Sequence, residues 1–285
     1  MYVGRFAPSP TGALHFGSLI AALASWLDAR AAAGRWLVRI EDLDAPRVER
    51  GAADDILRTL ERYGLGWDDE VVYQSKRTQL YDGALHALHG SVWYWCGCTR
   101  REVADSSLGL ASDGAQIYPG TCRSGIAPGK ARRALRLRTT AETIRFTDRV
   151  QGVREQVVAR DVGDFVLYRA DGQYAYQLAV VVDDAEQGVT DVVRGADLLD
   201  STPRQIHLQR LLGLATPRYL HIPAALNAAG EKLSKQTGAA PVEGRRALRT
   251  ALAFLGQPDT DDLAEATRNW DIALIPRRRV LTVEP

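Results

Sequence analysis

Apolar positions in the first forty residues fall into two short runs flanking a longer periodic stretch. Residues 2–7 and 36–40 read as strands and 18–33 as a helix, with Leu19, Ile20, Leu23 and Leu27 forming its apolar stripe. Ser18 is placed to cap the helix N-terminus and Gly34 to close its C-terminus. A strand, a helix and a strand in such close succession predict a parallel pair joined by a crossover. The intervening segment, Pro8-Ser9-Pro10-Thr11-Gly12-Ala13-Leu14-His15-Phe16-Gly17, is longer than most turns of that kind, and long loops at this position tend to be functional.

The pattern continues with a helix over 51–63, its Ile56, Leu57 and Leu60 inward and Gly64 at its end, and another over 78–88. From 93 to about 156 the character changes to cysteines, Gly and Pro turns, a basic strand over 132–138 and a strand over 143–150. This reads as an insertion into an α/β core that resumes at 164–167. A turn at 170–172, a helix over 176–182, a strand over 189–194 and a helix over 202–212 follow, the last with Pro203 in its first turn and Gly213 after it. No repeat of 20 to 50 residues is visible, which excludes solenoids and propellers.

Composition adds bounds. The 285 residues suit one large domain or two smaller ones, and 46% hydrophobic beside 25% charged residues excludes low-complexity disorder. No run approaches the roughly 20 apolar residues of a membrane span, and no signal-like stretch opens the chain, so a cytoplasmic protein without membrane attachment is expected. With 36 Lys+Arg against 35 Asp+Glu, net charge supplies no general attraction for nucleic acid, and any such binding needs local patches. Cys96, Cys98 and Cys122 are too few and too clustered for a disulfide framework and suggest thiols or metal ligands.

Three groups of residues offer chemistry. The opening loop leads into a helix N-terminus, where unpaired N–H groups and the positive helix end suit phosphate, and His15 adds a side-chain donor before Gly17. A Pro-rich connection with a satisfied histidine has the same spacing. Lys232 and Lys235 flank a hydroxyl in a Gly-bearing segment, an arrangement open both to polyphosphate neutralisation and to ordinary solvation. Arg132, Arg133, Arg136 and Arg138, like Arg277–Arg279, read equally as solvated faces or phosphate contacts. His86, His89, His207 and His221 read as structural.

Arg5-Phe6-Ala7-Pro8-Ser9-Pro10-Thr11-Gly12 followed by Leu14-His15-Phe16-Gly17-Ser18 resembles the HIGH signature of the glutamyl-tRNA synthetase family of class I aminoacyl-tRNA synthetases, with Ser18 at its last histidine. Lys232-Leu233-Ser234-Lys235-Gln236 resembles that family's KMSKS loop, and 38–44, Asp183-Asp184 and 193–197 match further motifs in order. The resemblance covers about residues 2–240. It implies an α/β fold: a Rossmann-like class I synthetase catalytic core with an inserted zinc-bearing acceptor-binding subdomain and a short helical C-terminal extension. The expected division is 1–92 and 161–240 for the two core halves, 93–160 for the insertion and 241–285 for an extension without an anticodon-binding domain.

The resemblance also implies a chemistry. His15, Gly17 and Ser18 with Lys232 and Lys235 would handle ATP and its magnesium. Phe6, Ala7, Pro8, Ser9 and Tyr176 would line a glutamate pocket with Arg5 and Arg194 for the carboxylates and Glu41 for the ammonium, since two carboxylates and one ammonium call for about two Arg clamps and one acid. Cys96, Cys98, Tyr118 and Cys122 resemble the family's Cys, Cys, Tyr, Cys set for one structural zinc. Fifty residues follow Lys235, and that outline resembles a truncated branch of the family that attaches glutamate to the queuosine base of tRNA(Asp). Expected partners are therefore ATP, L-glutamate and queuosine-containing tRNA(Asp), for a monomer. A glutamate-adenylating enzyme with another acceptor and a non-catalytic RNA-binding paralogue are the alternatives.

Overall fold

In the computed structural model, residues 1–88, 90–233 and 246–283 are described. The first half of the chain runs β1 (Val3–Phe6), α1 (Phe16–Ala31), β2 (Arg35–Ile40), α2 (Ala52–Arg62), β3 (Val72–Tyr73), α3 (Thr78–Ala87), β4 (Trp93–Cys96), α4 (Arg100–Asp105) and β5 (Ala134–Leu137). It continues with β6 (Thr143–Asp148), β7 (Gly152–Val157), α5 (Val158–Asp161), β8 (Val166–Tyr168), α6 (Tyr176–Glu186), β9 (Asp191–Gly195), α7 (Thr202–Leu211) and β10 (Arg218–Ile222). Last come β11 (Ala224–Leu226), α8 (Arg246–Phe254), α9 (Leu263–Arg268) and β12 (Val280–Thr282).

Two parallel sets of strands make the core. β1, β2 and β3 pair in that order, and β9, β10 and β6 pair in parallel with β7 antiparallel at the edge. Thr190 N–H, just before β9, donates to Val3 C=O at 2.9 Å, so β1 and β9 lie side by side where the two sets meet. Strand order therefore reverses next to β1, and ligands of open α/β sheets bind beyond the C-terminal ends of the strands at such a point.

Both faces of this layer are covered, as parallel strands require. Leu19, Ile20, Leu23 and Leu27 of α1 pack with Trp36, Val38, Val193, Leu220 and Ile222, and with Leu248 and Leu252 of α8. On the other face Val192 and Tyr219 meet Leu178 and Val181 of α6, and Ile206 and Leu208 of α7. Neighbouring residues Val192 and Val193 thus serve opposite cores, the period-two signature of a strand buried on both sides.

Helix α1 starts two residues before the expected position, and its N-cap is His15 rather than Ser18, whose own N–H donates to His15 Nδ1 at 3.2 Å. At the other end Ala33 takes the left-handed turn (φ 48°), while Gly34 is required for space: a Cβ there would lie 2.6 Å from Tyr2 O.

The segment expected as one insertion is divided. β4, β5 and β8 form an antiparallel sheet of their own, so β8, expected in the resuming core, belongs with the cysteine-bearing unit. The β6–β7 hairpin, expected in the insertion, joins the core sheet through β10. Local apolar pattern sets what a strand buries but not which strand it pairs with.

Candidate active site

The ends of β1, β2 and β9 open into one cleft of about 520 Å³. Its lining includes Arg5, Phe6, Ala7, Pro8, Ser9, His15, Gly17, Ser18, Glu41, Tyr176, Arg194 and Lys232, so every described residue expected for glutamate or ATP meets in one place. Lys235 lies outside the described residues. The long opening loop is fixed along this rim by Glu41 N–H donating to Pro8 C=O and Glu49 N–H to Pro10 C=O, both at 2.9 Å.

On the α1 side, His15 Nδ1 accepts from Ser18 N–H, which leaves the ring proton on Nε2 to donate to Ser18 Oγ at 2.9 Å. The cap thereby sets the imidazole beside the N-terminal turn. A Cβ on Gly17 would sit 3.3 Å from both the His15 ring and Leu233 O, so glycine lets the opposite loop approach the helix start. That loop leaves β11 through an Asn227–Gly230 turn and returns with Leu233 N–H donating to Ala225 C=O at 2.8 Å. Lys232 Nζ meets Asp197 Oδ2 at 2.5 Å across the cleft mouth.

Opposite lies a buried charge network that joins Arg5 and Glu41 to Arg39, Asp183 and Asp184 of the motifs and to Gln74, Arg77 and Tyr81, which no motif marked. Arg5 grips Asp184 through Nε at 3.1 Å and Nη2 at 3.4 Å. Arg39, fully buried, reaches Asp184 at 2.8 Å and Glu41 at 3.3 Å. Asp183 accepts from Gln74, Arg77 and Tyr81 at 2.7 to 2.8 Å. Burial alone would raise the Asp184 carboxyl, but Arg5 and Arg39 outweigh it and hold it below the usual range. At Glu41 burial wins and the pKa is raised despite Arg39 and Arg5. Glu41 thus sits in the cleft wall as a buried acid whose charge Arg39 and Arg5 offset only in part.

Arg194 is held differently. Its Nη2 donates to Thr202 Oγ1 and Gln205 Oε1, both at 2.9 Å, its Nε to His221 Nε2 at 3.0 Å, and its Nη1 approaches the Tyr176 hydroxyl at 3.4 Å. His221 is completely buried. The signal that would have marked it is a lone polar residue inside the apolar run Tyr219-Leu220-His221-Ile222.

The cysteines lie apart, at the end of β4 and in the loops beyond it. The three sulfurs fall within 4.8 Å of one another, with Cys98 and Cys122 Sγ 3.6 Å apart. Tyr118 Oη lies 3.4 Å from Cys96 Sγ and 3.5 Å from Cys98 Sγ. A tetrahedral zinc with Zn–S about 2.3 Å and Zn–O about 2.0 Å sets S···S near ~3.8 Å and S···O near ~3.5 Å, so the donor set fits that ion. Gly97 is small of necessity, since its Cβ would lie 2.7 Å from Ile126 Cγ2.

The arginines in and around β5 serve this unit internally in part: Arg136 stacks 4.0 Å over Tyr118, Arg138 5.2 Å over Tyr94 and the exposed Arg132 5.8 Å over Trp95, while Arg133 is exposed. Arg279 pairs with Asp200 at 2.5 Å. His89 lies outside the described residues. Among the described residues no helix is long and apolar enough to cross a membrane.

The cleft thus lies at the strand-order reversal, with a histidine-capped helix start on one side and the Arg39–Glu41 pair on the other, the arrangement expected of a class I tRNA synthetase catalytic core. The chain belongs to that family: residues 2–250 match the model of tRNA synthetases class I (E and Q), catalytic domain. It is 55% identical to the Glutamyl-Q tRNA(Asp) synthetase of Aromatoleum aromaticum, over 97% of this chain and 91% of that protein. The protein of the same name from Verminephrobacter eiseniae is 56% identical, over 98% of this chain and 97% of its own length. Among solved structures, a glutamate tRNA ligase from Elizabethkingia meningosepticum in complex with its amino acid superposes with TM-score 0.82 at 23% identity, over 99% of this chain and 67% of that one, a likeness of fold.

Proposed function

We propose that this protein activates L-glutamate with ATP and transfers it to the queuosine base of tRNA(Asp). The observation that carries the reading is the convergence of Arg5, Glu41 and Arg194 from three strand ends in the cleft that also holds His15 and the start of α1. Arg5, Arg39 and Arg194 set against Glu41 and Asp184 leave this end of the cleft with one excess positive charge, the complement of glutamate with two carboxylates and one ammonium.

Arg5 and Arg194 take the carboxylates, Glu41 the ammonium, Tyr176 and Ser9 add hydroxyl contacts, and Phe6, Ala7 and Pro8 shape the wall. His15, Gly17, Ser18 and the helix start hold the ATP phosphates, with magnesium supplying further charge neutralisation. The glutamate α-carboxylate oxygen attacks the α-phosphorus, the bond to the bridging oxygen breaks, and pyrophosphate leaves. Lys232, and Lys235 from the adjoining segment, meet the charge that develops on it. Such chemistry needs no protein nucleophile, and positioning carries the rate.

In the second step a hydroxyl of the queuosine cyclopentenediol attacks the activated carbonyl and AMP departs. Cys96, Cys98, Tyr118 and Cys122 would hold a zinc of structural role, because four protein donors leave no open position. The reading places a monomeric enzyme in the cytoplasm with its tRNA. Pyrophosphate exchange into ATP tests the first step: exchange that requires glutamate is expected, and its absence at saturating glutamate overturns the activity.

A further inference from the structure

Arg5 and Arg194 line the same cleft but are held in opposite ways. Arg5 is paired with a carboxylate, Asp184. Arg194 donates to neutral acceptors, Thr202, Gln205, the Leu198 carbonyl, Tyr176 and His221, and lies over the Tyr219 ring at 5.6 Å, with no ion pair among the described residues. Its charge is left for whatever enters the cleft. The neutral acceptor on its Nε is itself controlled by an acid one residue further out.

His221 faces Arg194 across the parallel pairing of β10 with β9. A guanidinium nitrogen only donates, so His221 Nε2 accepts and the ring proton sits on Nδ1. That proton points at Asp148 Oδ2, 2.6 Å away at the end of β6. Asp148 is fixed in turn by the N–H groups of Val150, Gln151 and His221 at 3.0, 2.8 and 3.2 Å on its other oxygen. Both side chains are fully buried and neither lines the cleft.

We infer that Asp148 and His221 are positioning residues for the reaction. Asp148 imposes the Nδ1–H tautomer, and the bare Nε2 then aligns Arg194 so that its guanidinium meets a substrate carboxylate with its charge undiminished. The imidazole supplies Arg194 with a hydrogen bond but no negative charge, so the guanidinium keeps its full attraction for a substrate carboxylate. The inference rests on the reading that Arg194 binds a glutamate carboxylate.

Asp148→Asn is nearly isosteric and keeps the acceptor for three backbone N–H groups. Its amide, however, donates to His221 Nδ1, drives the proton to Nε2 and sets donor against donor at Arg194. The expected result in pyrophosphate exchange is a KM for glutamate raised about tenfold or more with the KM for ATP within about twofold. His221→Gln, whose amide presents an oxygen to Arg194 and N–H to Asp148, should hold the glutamate KM within about threefold of the parent. Nitrogen NMR of the imidazoles, with the His221 signals assigned by their loss in His221→Gln, should show a protonated Nδ1 and a bare Nε2.

An unchanged glutamate KM in Asp148→Asn, an equal rise in both KM values, or the opposite tautomer overturns the inference while the activity stands. Lack of exchange in the unaltered protein overturns the activity and the substrate carboxylate with it, and the tautomer still decides the pairing.

Discussion

Glu41→Gln moves stability and binding in opposite directions. The side chain is 9% exposed, its cation neighbour Arg39 Nη2 is 3.3 Å away, and burial raises its pKa above the ordinary 4.5. An acid with a raised folded pKa contributes fully below the unfolded value and weakens the fold as pH climbs through the folded one, because the unfolded chain ionises more easily. Glutamine keeps the shape and an oxygen for Arg39 but carries no charge. At pH 7 the melting temperature should therefore hold or rise, at about 2–4 °C per kcal/mol for a chain of this size. Glutamate binding should suffer. A hydrogen bond to a charged group is worth about 1.5–3 kcal/mol, and about 1.4 kcal/mol is a factor of ten, so the glutamate KM should rise roughly 10- to 100-fold with the ATP KM unmoved. Pyrophosphate exchange at varied glutamate, with melts on the same preparations, reads both. A glutamate KM within about twofold of the parent refutes the ammonium site, and a lowered melting temperature refutes the claim that Glu41 is held at a cost to the fold.

Other consequences are open to measurement. Burial of His221 lowers its pKa from 6.5 to about 4, so stability present above about 6.5 is lost as pH falls toward about 4, on the order of 3 kcal/mol at about 1.4 kcal/mol per unit. Urea midpoints between pH 7 and 4 should show that slope in the parent and a flatter one in His221→Gln, and equal slopes would contradict it. Elemental analysis should find one zinc per chain, none in Cys98→Ala, and a metal about tenfold more weakly held in Tyr118→Phe; zinc-free parent protein purified without chelator would remove the metal. Gly34→Ala should cost about 1–3 kcal/mol by urea unfolding, from the 2.6 Å approach to Tyr2, with kinetic constants of the folded enzyme unchanged. A neutral effect on stability would mean that the turn yields.

Elements whose boundaries are written in local chemistry were legible from the chain itself. The runs at β1 and β2, the stripe of α1 and the punctuation at Gly64 and Gly213 each follow from neighbours in sequence. Pairing was not: β8 and the β6–β7 hairpin exchanged places because residues such as Leu135 and Tyr168 meet across more than thirty positions of chain. The cleft residues were legible through motif order, since Arg5, Glu41 and Arg194 all stand at strand ends. Their supports were not, because Asp148 and His221 come from strands with no motif between them. His15 was legible through its motif but its capping role was not: it competes with Ser18 for the cap and wins because its ring reaches the Ser18 N–H from outside the first turn.

The acceptor is the central claim, and paired labelling tests it most directly. Labelled glutamate and ATP are given with the protein to two preparations of tRNA(Asp), one containing queuosine and one lacking it. The account predicts label on the queuosine-containing tRNA alone; equal labelling of the two, or none on either while pyrophosphate exchange proceeds, would contradict it.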